Sequence, residues 1–373
     1  MEQFQIEALT GDLLARIASP AARGIDRFGP GSALGSAWQR LMRSATLPTQ
    51  AHGFVAALAE TMLGEDELKV FVARRPGGIA GILPLCRTAD WRARWRMVGA
   101  SEVFEPLDAL CLDDGAAADL AREVVADGRP LTLDRVPATS SFIPALQAAM
   151  RGRGLVSVRQ GLACPTIALD AGWIDPESRF NSGRRSDFRR AQRRATEHGA
   201  VFYEVIAPDP NEFDLLFDEA KAVELASWKK DAGTAIAVDP AKEAFFRAFL
   251  SDAAAQGLLR VAFMRIDRKA VAMQLALEWQ GRFWLFKIGY DETYRKCSPG
   301  TLLMLHTLGY AARAGLTGYE LLGNVEPWIA EFWTDASHPC LRVRTYPANP
   351  KGLAALAADG MGSLRQRLLS LRS

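Results

Sequence analysis

One short segment constrains the fold of this chain more than any other, because an apolar strand runs through a basic turn directly into a helix. Arg282–Tyr290 is an apolar run typical of a strand, and Pro299–Ala314 has the pattern of a helix. Pro299 suits the first helical position because its missing N–H costs nothing there, and Ser298 is the predicted N-cap. The segment therefore predicts a strand–turn–helix unit whose helix begins beside positive charge.

The start of this helix has the features of an anion-binding site. Gly300 carries no side chain, so a ligand can approach the backbone, and free N–H groups lie at the positive end of the helix dipole. A phosphate or pyrophosphate suits such a site, whereas a plain capped helix behind a solvated basic turn explains the same residues. The candidate binding residues are Arg295, Lys296, Ser298, Gly300, Thr301 and Leu302.

Two similar hairpin signals indicate a duplicated unit. Val70–Arg74 leads through a turn to Ile79–Leu85, and Val261–Arg265 leads through another to Val271–Leu277. A chain of 373 residues also exceeds the usual size of one core. We therefore predict an α+β fold of two tandem domains, each a mixed and mostly antiparallel sheet flanked by helices.

The basic turn resembles a known family. Arg295-x-x-Ser298-x-Gly300 is similar to the R-x-x-G-x-G/A pyrophosphate loop of the GNAT acyltransferase superfamily, with Ser298 where glycine is usual. The Ser-Pro-Gly version resembles the CelD-type branch, which is related to the tandem-domain Fem-type transferases. The resemblance extends to three further motifs: Arg184-Arg185-x-x-x-Arg189-Arg190, Ser227-Trp228-Lys229 and Tyr319-Glu320-Leu321-Leu322-Gly323.

This resemblance implies two GNAT-like domains, at residues 1–170 and 171–373, with acyl-CoA as co-substrate, no permanently bound cofactor and a primary amine as acceptor. Some members of the branch N-acylate sphingoid bases and form bacterial ceramides, so an amphiphilic amine is the preferred acceptor. The alternatives are an acetyltransferase acting on an amino sugar or exopolysaccharide precursor, and a non-catalytic GNAT-fold binding module. An aminoacyl-tRNA donor is disfavoured by the net charge of +2, and we predict no nucleic-acid partner.

Only the second half is expected to bind the donor. The matching turn of the first half is Asp113-Asp114-Gly115, where two carboxylates would repel a phosphate. The first half would then serve as scaffold or as a wall of the acceptor site.

Four residues are candidates for acid–base chemistry on the amine and the leaving thiolate. Asp291 ends the strand before the basic turn, and Glu320 interrupts an apolar strand, where burial would raise its pKa and suit it to act as base. His306 and Tyr310 share a helix face at i, i+4 spacing, as base and as proton donor. The structural alternatives are a solvated turn, an exposed edge-strand position and a satisfied core histidine.

Aromatic and basic residues are candidates for the acceptor site, although a tryptophan serves packing more often than recognition. The residues concerned are Trp228, Lys229, Tyr290 and Trp328. We predict no metal site, because the four His and five Cys show no zinc-binding spacing.

The arginine-rich helix Ser182–His198 is open to three interpretations: a solvated face, a clamp for the CoA 3′-phosphate, or a surface for anionic lipid. No signal peptide or membrane-spanning run is evident. We therefore expect a cytoplasmic protein, with peripheral contact at the inner membrane face as one possibility.

Overall fold

The computed structural model describes residues 31–227 and 236–370, with side chains described as far as residue 362. Its helices are α1 (Ala33–Leu41), α2 (His52–Thr61), α3 (Asp114–Ala126), α4 (Phe142–Met150), α5 (Ser182–Thr196), α6 (Phe213–Leu225), α7 (Pro240–Ala255), α8 (Pro299–Arg313), α9 (Pro327–Phe332) and α10 (Pro350–Ser370). Its strands are β1 (Glu67–Arg75), β2 (Gly78–Arg87), β3 (Trp95–Met97), β4 (Leu110–Cys111), β5 (Leu131–Pro137), β6 (Gly154–Gln160), β7 (Cys164–Ala168), β8 (Val201–Ile206), β9 (Leu259–Ile266), β10 (Lys269–Trp279), β11 (Arg282–Tyr290), β12 (Gly318–Glu320), β13 (Ser337–His338) and β14 (Cys340–Pro347).

The strands form two mixed sheets flanked by helices, which confirms the predicted fold class. The first sheet has the order β1-β2-β3-β5-β14-β6, with β4 paired to β2, and the second has the order β13-β7-β12-β11-β10-β9-β8. Most neighbours are antiparallel, but β3 with β5 and β11 with β12 are parallel. Both predicted hairpins are present, as β1–β2 and β9–β10.

The two sheets exchange strands across the middle of the chain. Strand β7 precedes residue 171 yet lies in the second sheet, and β14 belongs to the C-terminal half yet lies in the first. One apolar core spans both halves, in which Phe54 of α2 packs edge-to-face on Phe245 and Phe249 of α7 with centroid distances of 5.4 and 5.2 Å. The boundary between residues 170 and 171 stays a prediction, because the polypeptide crosses between sheets on either side of it.

The central strands of the second sheet separate after a short pairing. Strand β12 pairs with β11 only at Arg282–Trp284. Beyond this stretch, the register between β10 and β11 shifts and leaves Phe286 as an extra residue, a bulge that twists and bends β11. The apolar run Tyr319–Leu322 predicts a strand through Leu322, but β12 ends at Glu320, because Leu322 has a left-handed φ of 52° and leaves the sheet. Helix α8 packs against β9, β10 and β11.

Within the described ranges, we find no helix with the length and apolarity needed to cross a bilayer.

Candidate active site

Helix α8 begins in a tighter turn than the sequence indicates. Ser298 takes a left-handed conformation (φ 47°, ψ 50°) and its side chain makes no capping hydrogen bond, so the predicted side-chain cap is wrong. The Ser298 carbonyl instead accepts the N–H groups of Thr301 and Leu302, at 3.0 and 3.1 Å. Those two amides are therefore unavailable to a ligand, which corrects the expectation of free N–H groups beyond Gly300. Gly300 N–H itself has no acceptor among the described residues.

A cavity of about 450 Å³ opens at this helix start. Gly300 forms part of its wall, and a Cβ atom built there would lie 3.4 Å from the ring of Tyr290, so added bulk at residue 300 would narrow the cavity. Trp328 of α9 borders the cavity and stays 42% exposed. The lining is mainly apolar and consists of Met273, Gln274, Leu285, Ile288, Gly289, Tyr290, Gly300, Thr301, Leu303, Met304, Trp328, Phe332 and Trp333.

Positive charge surrounds the start of α8. Arg295 and Lys296 are exposed in the turn that precedes it. Helix α5 packs against this turn, where Arg194 Nη1 donates to the Lys296 carbonyl at 3.2 Å. The Arg184 guanidinium lies 3.6 Å from the ring centroid of Phe332, a residue of the cavity wall. The predicted strand–turn–helix unit thus places two basic segments beside one apolar cavity.

Asp291 serves the turn and does not line this cavity. Its Oδ1 accepts from Thr293 N at 3.0 Å and Thr293 Oγ1 at 2.6 Å, and its Oδ2 lies 2.7 Å from Lys269 Nζ. Burial raises the pKa of this carboxyl, but the bonds from Lys269 and Thr293 outweigh it and hold the pKa below its usual value. These contacts make Asp291 the N-cap of the 3₁₀ turn at Glu292–Cys297, and a carboxylate so bound is a weak base.

His306 and Tyr310 also lie away from the cavity at Gly300. His306 stacks on Tyr203 with ring centroids 5.1 Å apart, and its pKa is lowered first by burial and then by Arg313. The Tyr310 hydroxyl lies 3.1 Å from Arg260 Nε and 3.1 Å from Glu278 Oε2. The two side chains share a helix face as predicted, but this face packs against protein.

Glu320 lines a second cavity, of about 310 Å³, between the two sheets. Its side chain is 2% exposed, pairs with Arg282 and lies 3.0 Å from His338 Nε2 through its Oε2. Burial alone would raise the pKa of Glu320, but His338 and Arg282 outweigh it and the pKa is lowered. The expectation of a raised pKa is therefore wrong, because the sequence does not show these two partners.

His338 is a site residue that sequence reasoning missed. It lies on β13, which pairs with β7, and its side chain is 50% exposed at the second cavity. The hydrogen bond with Glu320 raises the pKa of His338 above its ordinary 6.5 despite partial desolvation. No spacing pattern connects residues 320 and 338, so only the sheet topology brings them together.

Strand β12 separates the two cavities. The Tyr319 hydroxyl lies 3.1 Å from Gln274 Oε1, which lines the first cavity, and 2.9 Å from Thr307 Oγ1. The next residue, Glu320, lines the second cavity, and so does Trp284. Because β11 and β12 cease to pair at Trp284 and Glu320, the two cavities flank the point where the strands separate.

Some of the other predicted residues line the first cavity, and the rest lie outside it. Tyr290, Gly300, Thr301 and Trp328 share the first cavity, while Leu302 is buried against α5. Ser298 is exposed beside Arg295 and Lys296. Trp228 and Lys229 lie outside the described residues.

The matching turn of the first half is filled by its own side chains. Asp113 caps α3 by accepting from Ala116 N at 2.7 Å, and it pairs with Arg75 Nη1 at 3.0 Å. A Cβ atom on Gly115 would lie 2.4 Å from Arg75 Nη2. This turn thus leaves no open backbone for a phosphate.

Residues 182–329 match the model of a family described as an acetyltransferase (GNAT) domain. Over these residues the chain is similar to a GNAT-type acetyltransferase domain. The matched span runs from α5 through β11 and α8 to α9, so it includes the first cavity and Glu320 but stops before His338.

Several solved structures resemble most of the chain at low sequence identity. FemX aligns with a TM-score of 0.52 and 10% identity over 84% of this chain and 96% of its own. A C-terminal DUF2156 domain from Agrobacterium fabrum, assigned to a lysylphosphatidylglycerol synthetase, aligns with a TM-score of 0.49 and 12% identity over 87% of this chain and 94% of its own. A tandem GNAT protein of clavulanic acid biosynthesis aligns with a TM-score of 0.43 and 16% identity over 84% of this chain and 95% of its own. At these identities the FemX likeness concerns the fold alone, and the CelD-type branch stays a prediction. No curated protein matches this chain.

In the described part of the chain, no group of three or more His, Cys, Asp or Glu side chains has an arrangement suited to a metal ion.

Proposed function

We propose that this protein is an N-acyltransferase that moves an acyl group from acyl-CoA to a primary amine. The observation that carries the proposal is the apolar cavity that opens at Gly300, where α8 begins between Arg295 and Lys296 and the arginines of α5. A thioester of CoA combines an anionic diphosphate with a less polar arm and acyl chain. Charge at the rim and apolar surface within suit the two parts of such a donor.

The donor is positioned mainly by backbone and shape. Gly300 N–H is the amide left for a phosphate oxygen, because Ser298 O occupies those of Thr301 and Leu302. Arg295 and Lys296 supply exposed positive charge beside it. The acyl chain extends along the apolar wall toward Trp328 and Phe332.

The acceptor reaches the thioester from the second cavity, on the other side of β12. A primary amine must lose a proton to complete the transfer. When His338 Nε2–H donates to Glu320, Nδ1 remains as the nitrogen that accepts a proton. The amine nitrogen then bonds to the acyl carbon, the C–S bond breaks, and CoA leaves as the thiolate. Glu320 holds and orients the imidazole, and Arg282 keeps that carboxylate ionised.

The preferred acceptor is an amphiphilic amine such as a sphingoid base. Exposed Trp328 and the arginines of α5 suit a protein held at an anionic lipid surface, where an amphiphilic amine is concentrated. The second cavity favours a different candidate, an amino sugar or related precursor. Its polar groups, which include Gln280, Arg282 and His338, suit a hydroxylated acceptor.

A coupled assay tests the proposal. We expect free CoA thiol to appear only when both an acyl-CoA and an amine are present, with mass detection identifying the amide. Long-chain acyl-CoA with sphingoid bases, and acetyl-CoA with amino sugars, separate the two acceptor classes. Gly300→Val should abolish turnover, whereas Gly77→Val, at an open hairpin glycine with no atom within 4 Å of its Cβ position, should not. CoA binding without turnover on any amine would favour the non-catalytic binding module.

A further inference from the structure

Two cysteines from different sheets meet at the second cavity. Cys164 lies on β7 of the second sheet, and Cys340 begins β14 of the first. Their sulfur atoms are 3.8 Å apart, although the residues are 176 positions apart in sequence. Both side chains are buried from the protein surface but border the cavity of about 310 Å³, which gives a small molecule access to them.

The surroundings of this pair favour thiol chemistry. The Arg135 side chain, which is 3% exposed, donates from Nη2 to Cys164 Sγ at 2.8 Å. The charge of Arg135 favours the thiolate, which is the nucleophilic form, at either sulfur, but at Cys164 the hydrogen bond with Cys340 and burial outweigh it and raise the pKa of that thiol. In addition, the hydrogen bond from Cys164 lowers the pKa of the Cys340 thiol below its ordinary 9.0.

The other three cysteines differ from Cys340, whose pKa is lowered, and all five cysteines lie in the described part of the chain. Burial raises the pKa of Cys86 and of Cys111 to about 12. Burial also raises the pKa of Cys297. Among the described residues, Cys164 and Cys340 are the two cysteines whose sulfur atoms are in contact. The contact between the two sulfur atoms thus singles out this pair, and the lowered pKa singles out Cys340 within it.

We propose that Cys164 and Cys340 form a reversible oxidation site for a small peroxide. The Cys340 thiolate attacks hydrogen peroxide, so that an S–O bond forms, the O–O bond breaks and hydroxide leaves. The Cys164 thiol then attacks the resulting sulfenic acid, the S–S bond forms and water is released. The sulfurs must approach from 3.8 Å to about 2.0 Å, a shift within reach of side-chain rotation. A dithiol returns the pair to the reduced state.

The disulfide would join the two sheets at the cavity that holds Glu320 and His338. Cys164 pairs with His338 across β7 and β13, and Thr166 of β7 pairs with Glu320. Formation of the S–S bond therefore shifts the strands that carry Glu320 and His338. One further consequence rests on the proposed function. If the proposed acyl transfer uses this cavity, oxidation lowers the rate of transfer to the amine acceptor.

Oxidation of the full-length protein with hydrogen peroxide, followed by alkylation and peptide mass mapping, tests the site without any activity assay. We expect a crosslinked peptide joining Cys164 and Cys340, a loss of two hydrogen atoms from the intact mass, and reversal by dithiothreitol. The crosslink should be absent in Cys340→Ser and in Cys164→Ser, and present in Cys111→Ser. The oxidised wild type should also melt at a higher temperature than the reduced form, because the bond closes a long loop.

Two results would overturn the proposal. One is a native protein that keeps Cys164 and Cys340 alkylatable at peroxide concentrations that oxidise Cys111. The other is separate sulfinic acids at the two residues without any crosslink. Because both are read by mass, they are independent of whether the protein proves to be an acyltransferase.

Discussion

His338 Nε2 lies 3.0 Å from Glu320 Oε2, and this contact joins an exposed imidazole to a carboxylate that is almost fully buried. Glu320 lies on β12 and His338 lies on β13, and both strands pair with β7, which lies between them. The pair lines the cavity between the sheets, where the proposed proton transfer from the amine takes place.

The contact predicts a pH window for stability. The folded pKa of His338 is raised above 6.5, so its contribution is complete below 6.5 and is lost as pH rises through the higher folded pKa. The folded pKa of Glu320 is lowered below 4.5, so its contribution is present above 4.5 and is lost as pH falls through the lower folded value. The melting temperature of the wild type should exceed that of His338→Gln most between pH 4.5 and 6.5. A difference that grows toward alkaline pH would contradict this.

Removing the proposed base should slow the chemical step more than binding. We expect Glu320→Gln or His338→Gln to lower kcat by about 10²–10⁴-fold, with a smaller change in KM for acyl-CoA, whose proposed cavity lies across β12. Steady-state kinetics over a pH series checks this. His306→Gln, at the stacked histidine of α8, is the matched control and should retain activity. Equal losses in all three variants would argue against a specific role for His338.

Gly300→Ala should weaken donor binding without lowering the stability of the fold. Alanine in a helix is more favourable than glycine by about 0.5–1 kcal/mol, and the new Cβ atom meets the Tyr290 ring at an ordinary contact distance of 3.4 Å. We therefore expect urea unfolding to show equal or greater stability, while KM for acyl-CoA rises. An unchanged KM would show that the donor does not approach this backbone.

Asp291 should behave as a structural cap. Asp291→Ala removes the bonds to Thr293 and the contact with Lys269, and it should lower the free energy of unfolding by about 1–2 kcal/mol. Asp291→Asn should restore most of this, because asparagine caps equally well and Lys269 is 59% exposed. Urea unfolding measures both variants. A stable Asp291→Asn protein without turnover would instead assign Asp291 to catalysis.

The turn charges should give donor affinity a salt dependence. Replacing Arg295 and Lys296 by Ala should raise KM for acyl-CoA and flatten its increase with ionic strength, since exposed charges are screened by salt. Arg122→Ala together with Arg129→Ala, in the first half, provides a control of equal charge change. Equal effects of the two double variants would point to the net charge of the protein and away from the turn.

The segment around α8 was predictable because its signals are local. The apolar run of β11, the Ser-Pro-Gly start and the length of α8 all lie in one continuous stretch, and each was recovered. Even here, the left-handed Ser298 escaped prediction, because this conformation is uncommon for a residue other than glycine. Its consequence, the occupied amides of Thr301 and Leu302, could not be anticipated.

The second cavity was not predictable because it depends on long-range pairing. Strands β7 and β13 are five and two residues long and have no alternating pattern of their own. Their pairing brings Glu320, His338 and Cys164 to one place from distant positions in the chain. A lone glutamate in an apolar strand was a useful signal, but the sign of its pKa shift depended on Arg282 and His338.

Thermal unfolding with and without CoA tests the central claim most directly, because a ligand that binds only the native state must stabilise it, by about 2.7 kcal/mol at a concentration of 100 times Kd. We predict that CoA raises the melting temperature of the wild type and of Gly77→Val, and leaves that of Gly300→Val unchanged. The same rise in Gly300→Val, or no rise in the wild type with CoA or any acyl-CoA, would contradict donor binding at the start of α8.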